Sequence, residues 1–331
     1  MTEIIHKDDK KILVTGATGF IGRHLCDFLL NKGFFVRALV RQGSSTILKP
    51  NRNLEQRVGD LFDPEFLAKA CEGIDVIVHL AGLAHAINST HKQLHKINVY
   101  STKLLLAAAD EQEVECFVLM SSSVAATTNT QGSAASAYGS AKLAAEKLVM
   151  SRQKAGNMKC TVLRPVNVYG RGMRGNIALL ISLVLRGLAP PLPRLRTSIS
   201  LVGVEDVCDA IILVIMSEST GGKIYTLTDG VHYIISDIEG AIYRQAGRNL
   251  PSWRIPRLLL YAACLCFESL RKFLSIFGLQ IGLLDSVGMK TYNNLTKNNL
   301  FGNEDIKEDL GFKPKTTFYQ SLPKVVEELE S

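Results

Sequence analysis

The 331-residue chain is 47% hydrophobic and 21% charged, with apolar content sufficient for one large or two modest packed domains. Its formal charge of +7 suits anionic partners such as phosphates or an anionic membrane surface, but lysines and arginines are scattered and no nucleic-acid-binding motif is present, which argues against nucleic acid. Seven cysteines, an odd number without paired metal-ligand spacing, argue against a disulfide framework and a zinc site and read as reduced core residues.

Residues 1–10 are polar and mixed in charge, without the apolar core of a signal peptide, so a cytoplasmic location is expected. Lys11 to Thr15 reads as a short strand leading into Gly16-Ala17-Thr18-Gly19-Phe20-Ile21-Gly22 and then into a helix marked by Leu25, Phe28 and Leu29. Strand, glycine turn and helix in that order predict a dinucleotide site. The glycines allow a tight turn, close approach of a pyrophosphate, and close helix-to-strand packing, with the phosphate at the helix N-terminus. Gly16, Gly19, Phe20, Ile21 and Gly22 are therefore assigned to the cofactor.

A second strand, Phe34 to Val40, ends at Arg41, where a dinucleotide fold commonly places a carboxylate on the adenosine ribose. An arginine there pairs instead with a ribose 2′-phosphate, which favours NADP over NAD; the alternative is a solvated surface arginine. Val58-Gly59-Asp60-Leu61 ends a further strand. Asp60 and the Leu61 backbone are placed at the adenine, or Asp60 caps the helix predicted from Pro64 to Ala70.

Asp75 to Leu80 reads as a buried strand, followed by Ala81-Gly82, small enough to admit the nicotinamide ribose at the carboxyl edge of the sheet. His85 reads either as a substrate contact or as a solvated loop residue, and His91 as a surface residue. A continuous helix is expected from His91 to Asp110. Its one inward polar residue, Asn98, needs partners and is expected to bridge two adjacent strands near the cofactor.

The strand Cys116 to Met120 runs into Ser121-Ser122-Ser123, and after a Ser/Thr/Ala/Gly-rich loop comes Tyr138-Gly139-Ser140-Ala141-Lys142 at the start of a helix. Four residues on a helix advance roughly 6 Å and return to the same face, so the lysine ammonium lies near the phenol. A free tyrosine titrates at about 10, and a fixed cation is expected to lower that value and fit the phenol for proton exchange with an alcohol or ketone. A serine at the adjoining strand end supplies a donor to the same oxygen. The strand Cys160 to Leu163 then delivers Arg164-Pro165-Val166-Asn167-Val168-Tyr169-Gly170, an edge loop in which Pro165 is placed at the cofactor.

These runs, with HLAG at 79 to 82, NVYST at 98 to 102 and VEDVCDAI at 204 to 211, resemble the extended short-chain dehydrogenase/reductase family, in the branch of nucleotide-sugar epimerases, dehydratases and 4-ketoreductases. The resemblance implies that Ser123 is the catalytic serine, Tyr138 the proton-exchanging tyrosine, and Lys142 the lysine that also binds nicotinamide ribose. It places Asn167 at a sugar-nucleotide diphosphate. The loop between Ser123 and Tyr138 is shorter than is usual in the family and lacks its acidic and proline residues. Thr197-Ser198-Ile199-Ser200 stands where the family usually has a diphosphate-binding arginine, leaving Arg194 or Arg196 either as substitutes or as solvent-facing residues.

Beyond Gly172 the βα rhythm loosens, with a helix near Asn176 to Arg186 and a proline-rich loop at Pro190 to Pro193. The expected fold is α/β, a Rossmann doubly wound parallel sheet with a smaller interleaved C-terminal substrate lobe, divided as 1–172 and 173–331 with some elements returning to the first domain. Arg257 to Leu284 is unusually apolar, yet neither of its charge-free runs reaches the roughly 20 residues of a membrane span. It reads as helices buried in the lobe or a dimer contact, as a helix pair lying on a membrane surface, or as a match to a lipid-linked or sterol substrate. The expected activity is that of a UDP-sugar 4-epimerase-like enzyme. A nucleotide-sugar 4-ketoreductase and a 3β-hydroxysteroid dehydrogenase-like enzyme are the alternatives, and a homodimer is expected.

Overall fold

The computed structural model describes residues 10–44, 48–83, 90–128, 136–276 and 288–330. The chain divides into two compact units, each assembled from three separate segments.

The first unit comprises 1–166, 204–227 and 303–313. Its strands are β1 (Lys11–Thr15), β2 (Phe35–Val40), β3 (Leu54–Val58), β4 (Val76–His79), β5 (Cys116–Met120), β6 (Lys159–Pro165) and β9 (Ile224–Leu227). They form one sheet in the order β3-β2-β1-β4-β5-β6-β9, every pairing parallel. β4 and β5 are buried along their whole length, as expected of apolar strands covered by helices on both faces.

Helices α1 (Phe20–Asn31), α2 (Pro64–Cys71), α3 (His91–His95), α4 (Ser101–Glu111), α5 (Ser123–Thr127), α6 (Ala137–Ala155) and α8 (Val204–Met216) belong to this unit. Leu67, Leu105, Ala109, Ala145 and Val149 pack from α2, α4 and α6 onto Leu13, Ile77, Phe117 and Val162 of the sheet. α1 and α8 pack against each other, and their buried faces include Leu25, Leu29, Val207 and Ile211. The arrangement is the doubly wound Rossmann sheet expected from the βα alternation. The expected continuous helix from His91 to Asp110 is instead broken by a π turn at Lys96–Tyr100. All seven cysteines are unpaired thiols; six are buried and Cys266 is exposed.

The second unit comprises 167–203, 228–302 and 314–331. β8 (Ser198–Gly203) lies between β7 (Asn167–Tyr169), to which it is parallel, and β10 (His232–Ile234), to which it is antiparallel. Helices α7 (Asn176–Leu185) and α9 (Ile235–Gln245) pack with the C-terminal helix Phe318–Glu330. Buried Tyr169 and Tyr233 stand edge-on to Phe318, with ring centroids 5.6 and 6.0 Å away, and both hydroxyls meet Asp229. α10 (Arg257–Ile276) packs on the helix Met289–Thr296. No helix among the described residues is long and apolar enough to cross a membrane.

Candidate active site

Two glycines are required where β1 meets α1. Gly16 has φ +69°, and a Cβ there would stand 2.7 Å from the Ala81 nitrogen at the end of β4. At Gly22 a Cβ would lie 2.1 Å from the Gly16 carbonyl oxygen, so any side chain would push α1 off the strand. Gly19, the residue before α1, donates its amide to the Gly16 carbonyl at 2.9 Å and brings no side-chain cap. The amides of Phe20, Ile21 and Gly22 are thus the first of a helix, without intrahelical acceptors, an arrangement that suits an anionic pyrophosphate.

Along the same edge, β2 and β3 end at a groove of about 470 Å³ lined by Arg41, Gln42, Val58, Gly59 and Asp60. Arg41 is exposed, and Val58, 61% exposed, is an apolar wall. Gln42, next to Arg41, and Val58, two residues before Asp60, also line the groove and carry no motif signal of their own. Asp60 does not cap α2. Its carboxylate accepts from the Phe62 amide at 3.0 Å, while Asp63 accepts from the Glu65 and Phe66 amides and serves as the cap. Leu61 packs part-buried on the core.

Beneath Ala81 and Gly82 runs a buried polar chain whose direction is dictated by its donors. The Ala81 amide donates to Thr15 Oγ1 at 3.2 Å, and Thr102 Oγ1 donates to the Asn98 carbonyl at 2.7 Å. His79 lies between them, with Nδ1 2.7 Å from Thr15 Oγ1 and Nε2 3.1 Å from Thr102 Oγ1. Each hydroxyl has one proton, so Thr15 donates to Nδ1 and the Nε2 proton goes to Thr102. Burial, helped by the nearby Lys142 charge, holds the His79 pKa down at about 3 and keeps the ring neutral. Asn98 sits in the π turn, a feature common at functional sites. It does not bridge two strands: its Oδ1 accepts from Leu83 at 3.3 Å beyond β4, and its Nδ2 donates to Leu94 O on its own helix at 3.0 Å. A Cβ on Gly82 would lie 2.7 Å from Asn98 Oδ1 and 3.1 Å from Lys142 Nζ.

α6 brings Tyr138, Lys142 and Glu146 to one face, four residues apart. Lys142 is buried and its ammonium donates to the Met120 carbonyl at the end of β5, 2.9 Å away. Burial lowers its pKa to about 8, with the Glu146 carboxylate pulling the other way. The expected lowering of Tyr138 is not found. Burial pushes the phenol up to about 12, opposed by the Ser122 hydroxyl nearby, and the lysine is engaged by the Met120 carbonyl. The three serines separate by role. Ser121 donates to Glu146, Ser122 caps α5, and Ser123 is buried in the first turn of α5. Arg164, at the end of β6, clamps Glu146 through contacts of 2.8 and 2.5 Å, and Pro165 beside it is buried and paired with Leu227.

The remaining selected residues belong to the second unit or lie outside the described residues. Asn167 is exposed at the start of β7, and Arg194 and Arg196 are exposed in the segment before β8. His85 lies outside the described residues. Among the described residues no cluster of three or more His, Cys, Asp or Glu side chains could hold a metal.

The Gly16 turn, the side-chain-free surface at Gly82 beside Lys142, and the groove at Arg41 fit a dinucleotide cofactor. Over 332 residues the chain is 26% identical to the UDP-glucose 4-epimerase of Vibrio cholerae, covering 96% of this chain and 94% of that one. It is 25% identical to a 3 beta-hydroxysteroid dehydrogenase/Delta 5→4-isomerase of Mycobacterium tuberculosis, covering 94% and 88%. The crystal structure of UDP-glucose 4-epimerase with UDP-glucose from Thermotoga maritima superposes with a TM-score of 0.75 at 22% identity, covering 97% and 98%. Residues 12–227, the stretch that contains the glycine turn, the serines and the Tyr138–Lys142 pair, match the model of the NAD dependent epimerase/dehydratase family. The protein therefore belongs to that family and is an NAD(P)-dependent enzyme.

Proposed function

We propose that the protein interconverts the C4 epimers of a UDP-sugar through a transient ketone, as a 4-epimerase with NADP or NAD. One observation carries this reading: Tyr138 and Lys142 share one face of α6 at the carboxyl ends of β4 and β5, with Ser122 and Ser123 at the end of β5 and the open backbone of Gly82 beside Lys142. The nicotinamide ring, when bound, supplies and accepts the hydride. Tyr138 moves the proton on the substrate oxygen, and Ser122, with Ser123 as the family-implied alternative, holds that oxygen by a hydrogen bond. Lys142 grips the ribose and, through its charge, steadies the phenolate that forms each time Tyr138 gives up its proton. Asn167 and either Arg194 or Arg196 are assigned to the diphosphate, and Arg41 to a 2′-phosphate.

A net 4-ketoreductase is the second reading. It is favoured by a phenol that stays protonated near neutrality, ready to donate to a ketone, and by Arg41. Incubating the enzyme with UDP-glucose, without added reductant, and following sugar configuration by NMR separates the two. Interconversion of the C4 epimers, lost by about 10²- to 10⁴-fold in Tyr138→Phe with cofactor affinity retained, is the expected result. Stoichiometric NADPH oxidation with a 4-keto sugar, and no interconversion without it, overturns the epimerase reading in favour of the reductase.

A further inference from the structure

α10 is amphipathic in the opposite sense from a packed surface helix. At about 100° per residue, Leu258, Leu259, Leu265, Cys266, Phe267 and Leu270 spread over roughly 200° of its circumference, and all six are exposed. Leu258 reaches 75% and Leu259 60%. Tyr261, Cys264 and Glu268 lie on the other side, and Ser269 is the polar residue inside the arc. Glu268 accepts the Met289 amide at 3.0 Å, Tyr261 stacks edge-on with Tyr292, and Cys264 is buried between them. Glu268, Tyr261 and Cys264 therefore face the protein, and the apolar arc faces out.

We infer that α10 lies flat on an anionic lipid bilayer, with its outward arc in the boundary between headgroups and acyl chains. A second copy of the chain would need only a seam of two or three apolar positions in seven, whereas the exposed arc is about twice as wide, which suits a continuous apolar medium. Charge supports the same occupant. The chain's net charge of +7 suits an anionic surface, and exposed Arg257, the first residue of the helix, adds to it. Exposed Trp253, just before the helix, is of the type that settles at a membrane–water boundary. Arg254 contributes no free charge, since it pairs with buried Glu239 at 2.6 Å. Because no described helix is long and apolar enough to span, the contact is peripheral.

The test uses the full chain and vesicles of phosphatidylcholine with or without phosphatidylglycerol. Wild-type protein is expected to sediment with the anionic vesicles, and Leu259→Glu/Leu270→Glu to bind at least about tenfold more weakly with an unchanged melting temperature and unchanged turnover of soluble substrate. Cys266, the exposed thiol of the seven, lies at the centre of the arc. An environment-sensitive dye placed there should shift to the blue on anionic vesicles and be quenched by lipids labelled near the headgroup. Failure of wild-type protein to sediment with anionic vesicles overturns the inference. If the protein is then a dimer that the double variant splits, the arc is a contact between copies; if it is a monomer, the arc has neither occupant. Should the double variant fold poorly, the dye readout on otherwise unaltered protein decides alone.

Discussion

Lys142 carries a charge that the proposed chemistry needs, yet burial brings its pKa to about 8. Above that pH the ammonium is lost, and with it the grip on a ribose and the stabilisation of a tyrosinate. Turnover is therefore expected to fall as pH rises through about 8, although Tyr138 itself stays protonated up to about 12. A pH profile that holds level to pH 10 would show that Lys142 keeps its proton or is not needed. Arg41 poses a separate question at the far end of the same sheet edge. If it binds a 2′-phosphate, Arg41→Ala removes a charge-assisted contact of roughly 1.5–3 kcal/mol, which is about 10- to 100-fold in affinity. NADP binding should weaken by that factor while NAD binding stays put, a comparison open to calorimetry. Equal losses for both cofactors would remove the assignment.

Between elements, a buried polar connection joins Glu146 of α6 to Arg164 of β6. Glu146 is buried, accepts from Arg164 on both oxygens and from Ser121, and stands one turn behind Lys142. Buried ion pairs contribute modestly when intact, but removing one partner strands the other charge at a cost of about 3–5 kcal/mol. Glu146→Ala is expected to destabilise the protein by that order, seen as a lower denaturant midpoint. The doubly altered Glu146→Leu/Arg164→Met should recover much of the loss; a double variant as unstable as the single would show that packing, not the stranded guanidinium, is responsible. The π turn at Lys96–Tyr100 makes a similar connection without charge. It turns Asn98 so that one side chain satisfies Leu83 and Leu94, and no heptad or helical pattern of the kind read from residues 91–110 distinguishes such a turn from an uninterrupted helix.

Across the first unit, acid stability is expected to follow His79. Its folded pKa near 3 lies below the ordinary value of 6.5, so the unfolded chain takes up a proton between those values and the folded one does not. The contribution is complete above pH 6.5 and is lost as pH falls toward 3, at up to roughly 1.4 kcal/mol per unit. His79→Asn should flatten the fall in urea midpoint between pH 6.5 and 5; an unchanged slope would mean that the imidazole is protonated in the folded state. The neutral ring matters because it connects β1, β4 and α4 through Thr15 and Thr102.

What the sequence determined by itself was local and periodic. β1 and β5 are read residue for residue at Lys11–Thr15 and Cys116–Met120, and the glycine turn lies where a strand gives way to a helix, since a short continuous apolar run and the steric need at glycine are encoded within a few neighbouring residues. The parallel, doubly wound sheet follows from that rhythm. Contacts between distant segments were decided only in the folded chain. Asp63 caps α2 although Asp60 stands in the motif. The direction of the Tyr138 shift reversed because desolvation by surrounding elements outweighs a cation whose ammonium is held by Met120. The sequence showed that α10 is apolar, but which of its faces is left uncovered depended on the helix Met289–Thr296, because burial is a property of what packs against a residue and not of the residue alone.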